Sequence, residues 1–436
     1  MTRGPLAASA RRWGPYTLAG VLLLVDFVLV ARGLAHAPDA QAYALWALDH
    51  SVYSDVIRLE LVHYVHAAHV IHPLPYVHSK IEYPVLLGFV LWLPTWLPGG
   101  PASWLAATGV LTAAATFGSI ALLRRQHPPS AWWIAASPAL LLDAGVNWDL
   151  IGVVFLVAGV VYFGERRYRL SGGSTAAGTC FKLFPVVVAP MALAALGGRW
   201  WHATDPRAPS IGDGDGDGSG SDSNRTSPPR ALAHWLIPFA VLVAVVMVPL
   251  VVVARSNTLW FIRFNSLRSQ KDSLWELVAK VLGPSAATHQ TINTLSLLAV
   301  TVATAYGAWR VWRTDPSHHG RAVALATATA LLTWMAVNKV WNPQYILWVF
   351  AAGALAAMPA RFGVTLGALS IVDWWFEFGL RRPDHVGSLI GLGYLTVVFR
   401  LAVLAWMAAW TIGQLRSLDR APAGSFAEGT PTPATS

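Results

Sequence analysis

The sequence predicts an all-α, polytopic integral membrane protein with about twelve transmembrane helices, and three observations carry that expectation. Hydrophobic residues make up 55% of the 436-residue chain and charged residues only 12%, with 22 Trp, a residue that collects at membrane interfaces. Apolar stretches such as 231–254 and 389–413 exceed what one soluble core of this size has to bury. Polar residues gather in short clusters at the ends of such stretches. The clearest is Asn338-Lys339-Val340-Trp341-Asn342-Pro343-Gln344-Tyr345, wedged between 325–337 and 346–358. A Lys, two Asn and a Gln beside hydrocarbon are costly unless something polar meets them, so they mark a site.

Each apolar run is expected to be helical, because lipid offers backbone groups no other partner. In chain order the runs are 15–34, 84–98, 102–123, 131–146, 148–163, 176–196, 231–254, 291–312, 322–337, 342–358, 361–378 and 388–412, several of them short enough to be half-helices. The first lacks a small-residue cleavage site and contains Asp26, so it reads as a retained span behind a cytoplasmic tail, 1–14. A disordered cytoplasmic tail, 413–436, follows the last. Lys and Arg bias in short loops puts Arg3, Arg11, Arg12, Arg310, Arg313, Arg321, Arg416 and Arg420 inside. The same count leaves Arg124, Arg125 and the 165–169 segment outside, against the rule; either a short pair of spans between 84 and 163 is misplaced or those arginines serve anionic lipid. The net charge of +9 reflects this bias and contact with acidic headgroups; no basic patch has a folded domain of its own, which argues against nucleic acid. The single Cys, Cys180, excludes an intrachain disulfide.

Three stretches lie between spans. The long first outer loop, 36–83, is aromatic and His-rich, with amphipathic pieces at 41–49 and 56–70 suited to interfacial helices. The segment 199–230 contains a Gly-Asp repeat with too few apolar residues to fold and reads as a disordered cytoplasmic linker. Its Asp213, Asp215 and Asp217 mimic the start of a calcium loop, but Asn224 stands where a bidentate Glu is needed. A second outer loop, 255–290, carries Arg263, Arg268, Gln270, Lys271 and Asp272 ahead of an amphipathic segment at 274–282.

The candidates for chemistry sit where loops meet the membrane. Asp39, Asp49 and Asp55 in the first outer loop are carboxylates able to take a proton from an attacking hydroxyl, and spacing does not choose among them. In Glu82-Tyr83-Pro84, Pro84 fits the first turn of a helix and holds Tyr83 extended, which aims Glu82 and Tyr83 at the outer interface. Asn147-Trp148-Asp149 separates two apolar runs, and Lys182 lies in a third; a structural salt bridge between spans competes with a functional role for this Asp and Lys. His63, His66, His69 and His72 step by three and spread around half a helix, which suits a polar face better than a metal cluster.

Taken in order, Asp55, Pro75-Tyr76, Ile81-Glu82-Tyr83-Pro84, Ser137-Pro138, Asn147-Trp148-Asp149, Lys182-Leu183-Phe184-Pro185, Asn338-Lys339-Val340 and Pro343-Gln344-Tyr345 resemble the family-87 glycosyltransferases, a GT-C branch that includes polyprenyl-phosphate-mannose-dependent alpha-mannosyltransferases. The similarity covers most of 15–412. It implies an enzyme of the plasma membrane with its active site on the outer face. Such enzymes pass a sugar, here most plainly mannose, from a polyprenyl-phosphate donor to a hydroxyl of a cell-envelope glycolipid or glycan, inverting the anomeric centre. The resemblance makes Asp55 the general base, with Asp49 as fallback. It places Tyr76, Glu82, Tyr83, Asn147, Asp149, Lys182, Arg268, Asn338, Lys339, Gln344 and Tyr345 near donor or acceptor. No metal and no cofactor is implied, because the leaving group is already an anionic phosphodiester that cations can hold. The chain departs from the family pattern at Val85, where a second Pro is usual, and at Trp341-Asn342, where a smaller pair is common. A lipid-linked sugar flippase is the rival from another class, and a non-catalytic scaffold the third; no internal repeat of the kind transporters show is evident.

Overall fold

Helices dominate because the apolar segments leave their backbones no other hydrogen-bond partners. The structure, a computed structural model, describes residues 5–63, 72–204, 227–283, 285–380 and 386–418, and among these the only extended pairing is two isolated bridges. The helices are α1 (Pro5–Ala31), α2 (Ala40–Asp49), α3 (Asp55–His63), α4 (Val85–Trp92), α5 (Pro101–Gln126), α6 (Ala131–Ala135), α7 (Ala139–Leu142), α8 (Asp149–Gly164) and α9 (Tyr168–Phe181). They continue as α10 (Val188–Thr204), α11 (Pro228–Thr258), α12 (Trp260–Leu267), α13 (Leu274–Leu282), α14 (Ala286–Arg313), α15 (His319–Val337), α16 (Ile346–Leu355), α17 (Ala360–Trp374) and α18 (Val386–Ser417). Among the described residues, 7 helices are long and apolar enough to cross a membrane, with shorter apolar helices at Val85–Trp96, Asp149–Gly164 and Pro343–Leu355. The chain is an all-α membrane protein.

Helix ends sort into two sets. At one end, Arg124 donates to the Arg12 carbonyl, Arg125 pairs with Glu165 at 2.6 Å, and Arg310 donates to the Leu415 carbonyl at 3.3 Å. At the other, the Gly145 N–H donates to Asp26 Oδ2 at 2.5 Å, Ser54 Oγ donates to the Gly145 carbonyl at 2.6 Å, and Ser51 Oγ donates to the Phe378 carbonyl at 2.9 Å. Lys271 and Trp341 add a backbone bridge there, through Lys271 N–H to Lys339 O at 3.1 Å and Trp341 N–H to Lys271 O at 2.9 Å. Arg124, Arg125 and Glu165 therefore lie at the same end as Arg12 and Arg310, which is a correction to the run count and favours the first of the two alternatives left open above, misplaced runs.

The correction has a local cause in two runs. The run 84–98 is α4 plus a short turn, Leu93–Trp96; eight residues rise about 12 Å, well short of a ~30 Å hydrocarbon core. Both its ends stay at the Asp55 end of the molecule: Trp92 Nε1 donates to the His72 carbonyl at 3.3 Å, and His72 stacks on Trp96 with centroids 4.0 Å apart. The run 176–196 is two helices. Lys182 is extended (φ −140°, ψ 130°) and stops α9, and Pro185 then opens the next turn, Phe184–Val187. The helix α9 reaches back to Tyr168 through Ser, Gly and Thr residues that read as loop in sequence. Such small residues let backbones approach: a Cβ on Gly172 would fall 2.0 Å from the Trp235 carbonyl oxygen of α11.

Other boundaries shift as well. The run 131–146 is broken into α6 and α7 by Pro138, which cannot donate and disfavours helix at Ser137. Helix extends beyond the hydrocarbon-length runs into the expected tails and linker: α1 begins at Pro5, α10 ends at Thr204, α11 begins at Pro228, and α18 ends at Ser417. A helix satisfies its own backbone hydrogen bonds, so the helical ladder need not stop where the apolar run does. The 255–290 loop holds α12 and α13, after a kink at Ala254 (φ −143°, ψ 54°). The Asp213–Asn224 repeat, His66, His69 and residues 419–436 lie outside the described residues.

A clamp, buried at Arg400 and Asp373, fixes the loops at the Asp55 end. Arg400 Nη1 pairs with Asp373 Oδ1 at 2.6 Å, Trp341 Nε1 donates to Asp373 Oδ2, and Lys271 pairs with Glu377 at 2.5 Å. These contacts join α17, α18, the loop before α13 and the 338–345 loop, so the walls of the site are held by charge pairs as well as packing.

Candidate functional site

Asp26, a carboxylate inside α1, accepts from the Gly145 N–H and so anchors the loop between α7 and α8. That loop carries Asn147. Its side-chain amide has one arrangement that satisfies every neighbour: Nδ2 donates to Asp55 Oδ2 and to the Tyr83 hydroxyl, both at 2.9 Å, while Oδ1 accepts from Lys182 Nζ at 3.0 Å and from the Trp148 N–H at 2.7 Å. A carboxylate and an ammonium are thus joined through a single amide.

Each partner is held from behind. Asp55 opens α3, its N–H on the Val146 carbonyl at 2.8 Å, and Oδ1 accepts from the Tyr53 hydroxyl at 2.8 Å. With one donor on each oxygen, half of its lone-pair sites stay open for an incoming hydroxyl. Lys182 stands 3.1 Å from Asp149 Oδ1, which also accepts from Trp348 Nε1 at 2.8 Å, and its ammonium lies 4.8 Å from the Tyr83 ring centroid. Tyr76, with φ +66°, lies behind: its hydroxyl is 2.8 Å from the Pro84 carbonyl oxygen and 3.0 Å from that of Tyr83, and its ring fills the space over Gly88.

Beside this relay opens a cavity of about 280 Å³. Its polar wall includes Glu82, Tyr83, Asn147, Lys182, Arg268, Asn338, Asn342, Gln344 and Tyr345, and its apolar wall includes Phe184, Phe261, Phe264, Trp334 and Trp348. Most residues singled out in the sequence meet here. Asp55 stands just outside the wall, half-buried, one hydrogen bond beyond Asn147. Arg268 ends α12, half-buried with its guanidinium 5.6 Å from the Phe264 ring centroid. Lys339 is turned away: its Nζ donates to the Ser266 carbonyl and to Asn293 Oδ1, both at 2.9 Å, and burial beside Arg268 pulls it down to about 8. Asp49 ends α2, exposed and off the cavity wall.

Sequence reasoning missed Trp348, which holds Asp149, and Phe184, which stacks on Trp348 at 3.9 Å. Aromatic residues inside apolar runs carry no signal of their own; only the partner reveals the role. The electrostatics favour anions on one side. Glu82 is pushed above its usual range by burial and then by Asp55, against the pull of Arg268, Arg58 and Lys182. Burial likewise raises Tyr83, with Asp55 adding to it, so its hydroxyl keeps its proton while accepting from Asn147. Among the described residues no group of three His, Cys, Asp or Glu is arranged to hold a metal.

One carboxylate near the site makes stability depend on pH. Glu60 in α3 is 5% exposed, its Oε2 has no hydrogen-bond partner among the described residues, and burial lifts it to about 7. Between the ordinary Glu value of 4.5 and about 7 the folded protein binds more protons than the unfolded chain, so stability falls as pH rises through that window and then levels off. Melting temperature in detergent is expected to drop between pH 5 and pH 7, and Glu60→Gln to flatten the drop. An unchanged slope in the variant would exclude Glu60 as its source.

Compared with known proteins, the chain matches no family model, and a search of curated proteins finds no match.

Proposed function

We propose that the protein is a membrane glycosyltransferase that moves a sugar, mannose in the first instance, from a polyprenyl-phosphate donor to a hydroxyl of a cell-envelope glycolipid or glycan. The observation that carries this reading is the Asp55–Asn147–Lys182 relay at the rim of a cavity with a cationic side and an aromatic side. The ordered motifs that resemble the family-87 glycosyltransferases agree with it, since Glu82, Tyr83, Asn338, Gln344 and Tyr345 from these motifs line the same cavity.

In this reading the acceptor oxygen attacks the anomeric carbon while its proton passes to Asp55. The carbon–oxygen bond to phosphate breaks, and its electron pair leaves on the polyprenyl phosphate, which Lys182 and Arg268 hold. Attack from the face opposite the phosphate inverts the centre. Asp55 serves the acceptor from outside the wall, while the lipid phosphate occupies the cavity. The aromatic residues of α12 and the start of α16 border the first isoprene units.

The chain crosses the plasma membrane twelve times in this proposal, through α1, α5, the broken α6–α7 pair, α8, α9, α10, α11 and α14 to α18. Replacing α4 by α9 in the count keeps both termini inside and brings Arg124, Arg125 and the 165–169 segment inside too, which removes the conflict these segments had with the positive-inside rule. The site then faces the exterior.

The test is reconstitution of the purified chain in liposomes with labelled polyprenyl-phosphate mannose, glucose or arabinose and a panel of envelope glycolipids. Labelled glycolipid together with free polyprenyl phosphate is the expected result. Movement of intact donor between leaflets without sugar transfer would instead establish the flippase reading, and inertness towards every donor would overturn both.

A further inference from the structure

At the end of the molecule opposite Asp55 lies a second, larger cavity of about 690 Å³, which the reaction above does not use. It opens among the connections α5–α6, α8–α9, α14–α15 and α16–α17 and the last turns of α10. Four guanidinium groups, those of Arg125, Arg166, Arg199 and Arg321, line it with His127, against the single carboxylate of Glu165.

The carboxylate is already engaged. Glu165 pairs with Arg125 at 2.6 Å and stands 3.8 Å from Arg167. Arg199 donates to the Tyr168 hydroxyl, a neutral partner. The guanidinium groups of Arg166 and Arg321 make no hydrogen bond or ion pair among the described residues, although Arg321 is half-buried. Like charges brought together in a partly desolvated space repel unless an anion joins them. The planar fork of Arg matches the oxygens of a phosphate, and a volume of this size falls in the range of small-molecule sites. Basic pockets between membrane helices at this level also hold phospholipid headgroups.

We propose that this cavity is an anion site that binds a phosphate-bearing group, taken from a lipid headgroup or from a soluble phosphate compound, with Arg166 and Arg321 as its free ligands. The site stands apart from the sugar-transfer reading. Only the assignment of its lipid source to the inner leaflet depends on the orientation proposed above.

The experiment uses the full chain. Detergent-purified protein is titrated with inorganic pyrophosphate by calorimetry, and protein in nanodiscs of phosphatidylcholine, with or without cardiolipin, is assayed for retained lipid by native mass spectrometry. Saturable binding of at least one of these probes is expected. Arg321→Gln and, separately, Arg166→Gln should each weaken it at least tenfold. Arg313→Gln, which removes an exposed charge stacked on Trp309 at the same end, should leave binding unchanged. Pyrophosphate saturation alone would identify a soluble ligand, and cardiolipin retention alone a lipid. Absence of saturable binding, or equal weakening by Arg313→Gln, would overturn the proposal by reducing the arginines to general surface charge. Arg166 lies on an exposed turn, so its variant keeps the test decisive if Arg321→Gln fails to fold.

Discussion

Asp55→Asn is expected to lower sugar transfer by about a hundred- to ten-thousand-fold while leaving donor affinity within experimental error of the parent. The first number is the usual worth of a positioned general base. The second follows from geometry, because the substitution is isosteric and replaces no residue of the cavity wall: the new amide oxygen still accepts from Asn147, and Lys182 and Arg268 are unchanged. Asp49→Asn, at an exposed helix end, should behave as the parent does. Turnover rates with a labelled donor, set beside donor dissociation constants, check both. A variant that keeps more than about a tenth of its turnover would remove Asp55 from the base role.

Lys182→Met should be more damaging, since two effects coincide. Asp149 is fully buried and Lys182 nearly so, and removing one member of a buried pair leaves an uncompensated charge at a cost of about 3–5 kcal/mol. The cavity also loses a cation for the leaving phosphate. The two effects separate in Lys182→Met/Asp149→Asn, which has no buried charge at this place and keeps an acceptor for Trp348 Nε1. Thermal unfolding of the double variant should return most of the way to the parent value, whereas transfer should stay lost. Recovery of both would reduce Lys182 to a structural residue.

The polar segments were legible because physics penalises them. Asn147, Asp149, Lys182, Asn338 and Gln344 interrupt apolar runs, and residues that cost so much to bury must meet polar partners: four of them line one cavity, and Asp149 pairs with Lys182 behind it. Side-chain direction was not legible. Asn338 and Lys339 are neighbours in a non-helical loop, so their side chains diverge, and the neutral one lines the cavity while the charged one bonds Asn293. Hydropathy also misjudged helix bounds: α4 is as apolar as a span yet only eight residues long, and α9 hides behind small polar residues that allow close packing with α11. Pairs such as Arg400 with Asp373 were beyond reach, because nothing local in either helix names its partner.

The wall of the cavity is drawn from both halves of the gene product. Tyr83, Asn147 and Lys182 are translated before the Gly-Asp linker; Arg268, Asn338, Gln344, Tyr345 and Trp348 are translated after it. A chain emerging from the ribosome therefore has its carboxylate and ammonium well before it has an enclosure to put them to use. Neither half alone encloses the cavity, so whatever ligand it takes is captured only by molecules whose synthesis has passed Trp348.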